Sequence, residues 1–470
     1  MSRKNKDVTK KQHVTTEQLL DGYPIRKLVI RLGIPAMFAQ FFNILYSIVD
    51  RIFVGNLPEA GELSLAGIGV SAPALTAISA FAAMVGVGGS SLMSIRLGQQ
   101  KVEEAKKVIC NAFLMLLLLS VFITAIMLAF KEEILYTLGC SHTLYAYAEP
   151  YYTIYLCGTL AALCGGGLNY FILAQGKAKE GMISVILGSL VNLALDPIFI
   201  YGFDMGVKGA ACATVIAQIS SMVYVLSVLR KPELQIRVGF GGYRMSIIRR
   251  ISFIGLMPLL ITLLDNGVLI LMNATLRRYG GESQGDVLIA CATVIQCFMA
   301  IVFCPSQGIA SGCSTLFSYH YGAKHYEKIS QTFCHVFILC ALYTGILCIA
   351  VQCFPAIFAR MFLNDTDTIQ LAAQALRMYT MGILGVAVQY TFVDGLTAMG
   401  KLSYALPLSL FRKIVYLICI IVLPLFTAPE HVFYAGTISD IVGAGFTLIV
   451  FLTVIRKRLK RELENSAPDC

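Results

Sequence analysis

Apolar residues in this chain fall into long runs separated by short polar breaks. Twelve runs can be drawn, at about 28–55, 64–94, 108–130, 147–174, 182–201, 207–229, 251–276, 287–317, 330–354, 369–398, 403–427 and 431–455. Each is long enough to span a bilayer as a helix. The stretch RLGIPAMFAQFFNILYSIVDRIFVG, residues 31–55, shows the type. As a helix it rises about 37 Å against a hydrocarbon core of roughly 30 Å. Lipid offers backbone groups no hydrogen bonds, so such runs form helices. The pattern predicts an all-α integral membrane protein with twelve transmembrane helices.

The polar breaks give a direction. Of 37 Lys and Arg, 28 lie at the termini or in the loops after even-numbered runs, for example Arg96, Lys101, Lys106 and Lys107 after the second. The alternate loops hold six: Arg51, Lys131, Lys208, Arg277, Arg278 and Arg360. The positive-inside rule then places both termini in the cytoplasm.

A repeat divides the chain. GSSLMSIRLGQQKVEEAKKVICNAF (89–113) aligns with CSTLFSYHYGAKHYEKISQTFCHVF (313–337) at an offset of 224, pairing Gly98 with Gly322 and Cys110 with Cys334. Each half holds six runs, an even number, so both enter the membrane in the same sense. The halves are therefore parallel repeats, expected as two lobes about a pseudo-two-fold along the membrane normal. The expected divisions are a cytoplasmic tail 1–27, an N-lobe 28–236, a C-lobe 237–456 and a cytoplasmic tail 457–470.

Composition changes this picture little. The chain is 57% hydrophobic and 14% charged, with mean hydropathy +0.74. A soluble domain carries about 25% charged residues. The net charge of +10 is spread between apolar runs and reads as topology, not as a nucleic-acid surface. Fifteen Cys form no CxxC and no Cys/His cluster of zinc spacing, so they read as apolar filler. No HExxH, no Ser/Lys dyad at helical spacing and no paired GxGD-like aspartates are present, which argues against an intramembrane enzyme. No cofactor is expected.

Carboxylates inside apolar runs mark ion or proton pathways by default. Asp50 lies about five residues from the outer end of the first run, with Pro35 as a candidate hinge on the other side. Asn192 and Asp196 are four apart, on one helical face, and Pro197 follows. Thr214 falls at a similar depth. Asp50, Asn192, Asp196 and Thr214 thus offer hard oxygens at one level of the N-lobe, for Na⁺ or a shared proton. Taken singly, each Asp could instead reach the interface or bond a neighbouring helix. Asp265 and Asp394 are secondary candidates in the C-lobe, as a second site or as structural contacts. Arg412, placed where the eleventh run begins, is a further secondary candidate that could snorkel inward or serve only as a structural contact.

The segments IVDRIFVG (48–55), VNLALDPIFIYGFDMGVKGAACATVIAQ (191–218) and LFRK (410–413), with the Gly98 and Gly322 loops, resemble the multidrug and toxic compound extrusion (MATE) transporters of prokaryotes. The likeness runs from about 25 to 455. It implies export of amphipathic, mostly cationic compounds, driven by entry of H⁺ or Na⁺ through alternating access. It also implies a cation site at Asp50, Asn192, Asp196 and Thr214. The expected setting is the plasma (inner) membrane of a prokaryote, with the chain a multi-pass monomer. Its partners would be drugs and the lipid bilayer. The alternative is a flippase for lipid-linked precursors of related two-lobed architecture. Flippases often line their cavity with cations, whereas acids dominate the N-lobe interior here.

Overall fold

The structure, a computed structural model, describes residues 20–55, 57, 61–138, 140–362 and 365–465. The basic residues of the first 19 positions therefore lie outside the described residues. The described chain is helical, with no strand among the described residues. Helix α1 is Ile25–Gly55, α2 Gly61–Gly98 and α3 Val102–Ala129; α4 His142–Cys157 and α5 Thr159–Ala174 form a bent pair. Then come α6 Ala178–Pro197, α7 Val207–Leu229, α8 Met245–Gly322 and α9 Tyr326–Cys353. A second bent pair, α10 Thr366–Thr380 and α11 Leu384–Ala398, precedes α12 Leu402–Phe426 and α13 Tyr434–Val450. Among the described residues, ten helices are long and apolar enough to cross a membrane, and twelve when each bent pair counts as one span.

Helix α8 covers two of the expected runs, 251–276 and 287–317, as one helical assignment. It must fold back on itself. A Cβ on Gly255 would meet the Met84 carbonyl, and one on Gly98 the Tyr319 carbonyl. A straight helix would hold Gly255 and Tyr319 roughly 96 Å apart, whereas Met84 to Gly98 spans only about 21 Å. The assignment therefore contains two antiparallel spans, Met245–Val268 and Ala290–Gly322.

The repeat is visible in the backbone. Left-handed residues recur at the sequence offset: Gln100 (φ 60°) with Lys324 (φ 61°), and Gly176 (φ 74°) with Gly400 (φ 73°). Both breaks obey it too. Gly158 stands at the 56° bend between α4 and α5, and Gly382 at the 41° bend between α10 and α11.

The lobes meet through glycines. A Cβ on Gly98 would lie 2.0 Å from the Tyr319 carbonyl oxygen, and one on Gly322 2.2 Å from that of Ile95. The offset that carries Gly98 to Gly322 carries Ile95 to Tyr319, so one contact is the image of the other. Gly88 against Ile251 and Gly255, and Gly312 against Leu32 and Ala36, extend the seam. At Gly98, Gly322 and Gly88 the nearest atoms are backbone, so backbones touch at close range.

Helix α1 serves both lobes. Its first half lies on α8, where Gly308 and Gly312 sit against Ala36 and Leu32. Its far end is tied to the N-lobe, where the Tyr201 hydroxyl donates to the Phe53 carbonyl at 2.7 Å. Pro35 falls at the handover, and α1 is unbroken there. The expected tail boundary at 457 falls inside helix. Arg456–Asn465 continues the last span with Leu459 and Leu463 buried, and Glu462 accepts from Lys401 at 2.5 Å and Tyr321 at 2.9 Å.

Candidate cation site and the C-lobe cavity

Four N-lobe helices each present two polar residues four apart, and hence on one face. These are Tyr46 and Asp50 on α1, Tyr151 and Tyr155 on α4, Asn192 and Asp196 on α6, and Thr214 and Gln218 on α7. The faces converge. Asn192 Nδ2 donates to Asp196 Oδ1 at 3.1 Å and to Thr214 Oγ1 at 3.5 Å. The Thr214 hydroxyl donates to the Ala210 carbonyl at 2.9 Å. The Asp50 carboxyl stands within hydrogen-bonding reach of Asp196. Asn192 and Asp196 are each 1% exposed. The structure thus brings together Asp50, Asn192, Asp196 and Thr214.

Two carboxylates in contact repel each other unless a proton or cation lies between them. Asn192 Oδ1 and Asp196 Oδ2 are buried and accept no hydrogen bond from a described residue. The set is therefore oxygen-rich. It suits a hard cation or a shared proton.

Sequence reasoning missed the tyrosines. Tyr46 faces both acids, Tyr151 bonds Thr214, and Tyr155 bonds Gln218. The Tyr151 and Tyr155 rings stack with centroids 6.3 Å apart. Their spacing of four from each other, and of Tyr46 from Asp50, was the available signal.

The C-lobe holds a cavity of about 420 Å³, lined among others by Asp265, Tyr390, Asp394, Arg412 and Lys413. Its two basic side chains are paired with acids. Lys413 forms an ion pair with Asp265, and Arg412 Nη1 donates to Asp440 Oδ1 at 2.9 Å. Arg412 does not open its helix, but it does reach inward, to the cavity wall. It sits well inside α12, which starts at Leu402, because buried Asp440 on α13 neutralises it. Asp265 is half-exposed and salt-bridged on the cavity wall. Asp394 lines the cavity with no ion pair to a described residue, beside the short π-helical turn Gln389–Val393. Lys413 and Asp440 escaped the sequence reading.

The sequence model of the MatE family matches residues 35–198 and 259–423. The chain belongs to the MATE family. The two matched blocks fall in the two lobes, as a repeat requires. Multidrug export protein MepA of Staphylococcus haemolyticus (strain JCSC1435) is 23% identical over 437 residues, covering 93% of this chain and 95% of that one. MepA of Staphylococcus aureus (strain MSSA476) is 22% identical over 386 residues, covering 80% and 82%. Among solved structures, an outward-facing multidrug resistance MATE transporter of the MOP superfamily superposes with TM-score 0.88 at 23% identity, covering 97% of this chain and 99% of that one. A MOP superfamily transporter from Pyrococcus furiosus Vc1 (DSM3638) superposes with TM-score 0.86 at 23% identity, covering 95% and 98%. It was described as having a binding pocket of reverse polarity that suggests a different function. These structures carry the same two-lobed, multi-pass MATE fold, and they are transporters rather than enzymes.

Proposed function

We propose that this MATE protein is a secondary active efflux transporter that exchanges H⁺ or Na⁺ for amphipathic, mostly cationic drugs. The observation that carries the proposal is the buried meeting of Asp50 with Asp196, beside Asn192 and Thr214. A cation or proton relieves the repulsion between the acids and so favours one arrangement of α1. Drug favours the other. Exchange follows because each ligand disfavours the state that the other selects. The protein would act as a monomer in the inner membrane of a prokaryote, with both termini cytoplasmic, as the basic loops suggest. The export activity of the MepA relatives supports this reading.

Asp50→Asn and Asp196→Asn, each resembling a permanently protonated acid, should insert normally but lose uphill efflux. Dye efflux from energised vesicles, with expression matched, tests this. Near wild-type pumping by Asp50→Asn would remove the acid pair from coupling and turn attention to Asp394.

A second reading is a flippase for lipid-linked precursors. Arg412 and Lys413 on the C-lobe cavity favour it, since cations would hold a diphosphate. Both are paired with carboxylates, however, which leaves no net positive field there. Resistance profiles of a transporter-deficient host would separate the readings: broad resistance to cationic dyes supports the exporter.

A further inference from the structure

Away from the oxygen cluster, three chemically different ligands meet at the end of the molecule where Gly98 and Gly322 close the lobes. Asp21 comes from the short helical stretch before α1, His320 from the last turn of α8, and His325 from the loop to α9. A carboxylate oxygen of Asp21 and a ring nitrogen of each histidine all lie within 4.8 Å of one another. His325 Nδ1 is 3.6 Å from Asp21 Oδ1. Ligands around a tetrahedral zinc stand roughly 3.3 Å apart, given metal–ligand bonds of about 2.0–2.2 Å. Small side-chain rotations would close the difference.

The second observation is His320 itself. It is 0% exposed, and neither ring nitrogen bonds to a described residue. A buried imidazole without a partner is costly, and a metal ion would satisfy it. Asp21 is already oriented, because the Tyr319 hydroxyl donates to its Oδ2 at 2.8 Å. Outer partners of this kind orient metal ligands.

We propose that Asp21, His320 and His325 bind a divalent transition-metal ion of the Zn²⁺ type, with an open position for water. Two imidazoles and a carboxylate suit such an ion and do not suit Na⁺, so the site is separate from the coupling cation. Lys328 is its competitor. Its ammonium lies 2.7 Å from Asp21 Oδ1, and metal entry displaces it. The bound ion would staple the start of α1 to the α8–α9 corner, beside the glycine seam, and hold that end shut.

The test is a Co²⁺ titration of the full-length protein in detergent, followed by visible d–d absorption. Wild type should saturate, with Zn²⁺ erasing the signal. His325→Gln should weaken binding by at least about tenfold, which is the low end even for losing an outer-shell partner. His325 is exposed, so this variant keeps its fold. Asp21→Asn should behave alike, and Lys328→Met should bind more tightly. No signal in wild type would overturn the site. So would a thiolate-type cobalt spectrum that His325→Gln leaves unchanged, which would place the metal on cysteines.

Discussion

Side chains differ in how much of their surroundings they need. Asp440 is 2% exposed and neutralises Arg412, whose Nε is buried without a hydrogen-bond partner among the described residues. Asp440→Asn should therefore lower stability by about 3–5 kcal/mol, because it leaves a buried guanidinium unpaired. Asp265→Asn should cost about 1 kcal/mol or less, since that carboxylate faces the cavity and is half-exposed. Thermal unfolding in detergent compares the two. Two similar drops would show that both pairs are equally desolvated. The sequence revealed Asp50, Asn192, Asp196 and Thr214 because depth and helical phase are computable for one helix at a time. It hid the Arg412–Asp440 and Lys413–Asp265 pairs because their members lie on different helices, and no period links them. An acid within an apolar run announces itself, but its partner does not.

Helices carry the moving parts. Proline at position 35 withholds the backbone hydrogen bond that Arg31 would otherwise receive, at the point where α1 leaves the C-lobe and joins the N-lobe. Pro35→Ala should restore that bond and stiffen α1. Transport should then slow several-fold while drug affinity, read by dye fluorescence at equilibrium, stays near wild type. Unchanged turnover in proteoliposomes would take Pro35 out of the mechanism. Helix existence was legible from apolar runs, whereas the breaks were not. Gly158 and Gly382 lie within long runs, and a glycine there reads as close packing until a bend is seen. Their spacing of 224 was the overlooked clue. The two spans of α8 were legible, since the polar residues at 277–286 separate two apolar runs.

At the scale of the whole molecule, two lobes are joined along a seam of glycines. The acid cluster and the apolar cavity walls predict that a sensitive host expressing the protein gains several-fold resistance to hydrophobic cations such as ethidium-like dyes. Growth inhibition at matched expression measures it; resistance confined to anionic lipid analogues would sink the exporter reading. The two-lobed plan was readable from the repeat, but the seam was not, because contact between lobes leaves no period in either. The seam also has an electrical consequence. Each 100 mV across a membrane is worth about 2.3 kcal/mol per elementary charge, so any aqueous thread through the protein drains the supply on which exchange depends. Where Gly98 rests on Tyr319 and Gly322 on Ile95, even a methyl group has no room. Gly98→Ala should wedge the seam apart. Proteoliposomes carrying it should lose an imposed potential faster than wild type with no drug present, and a potential-sensitive dye reads the decay. In this view the smallest side chains are the insulation, and their worth is measured in ions that do not cross.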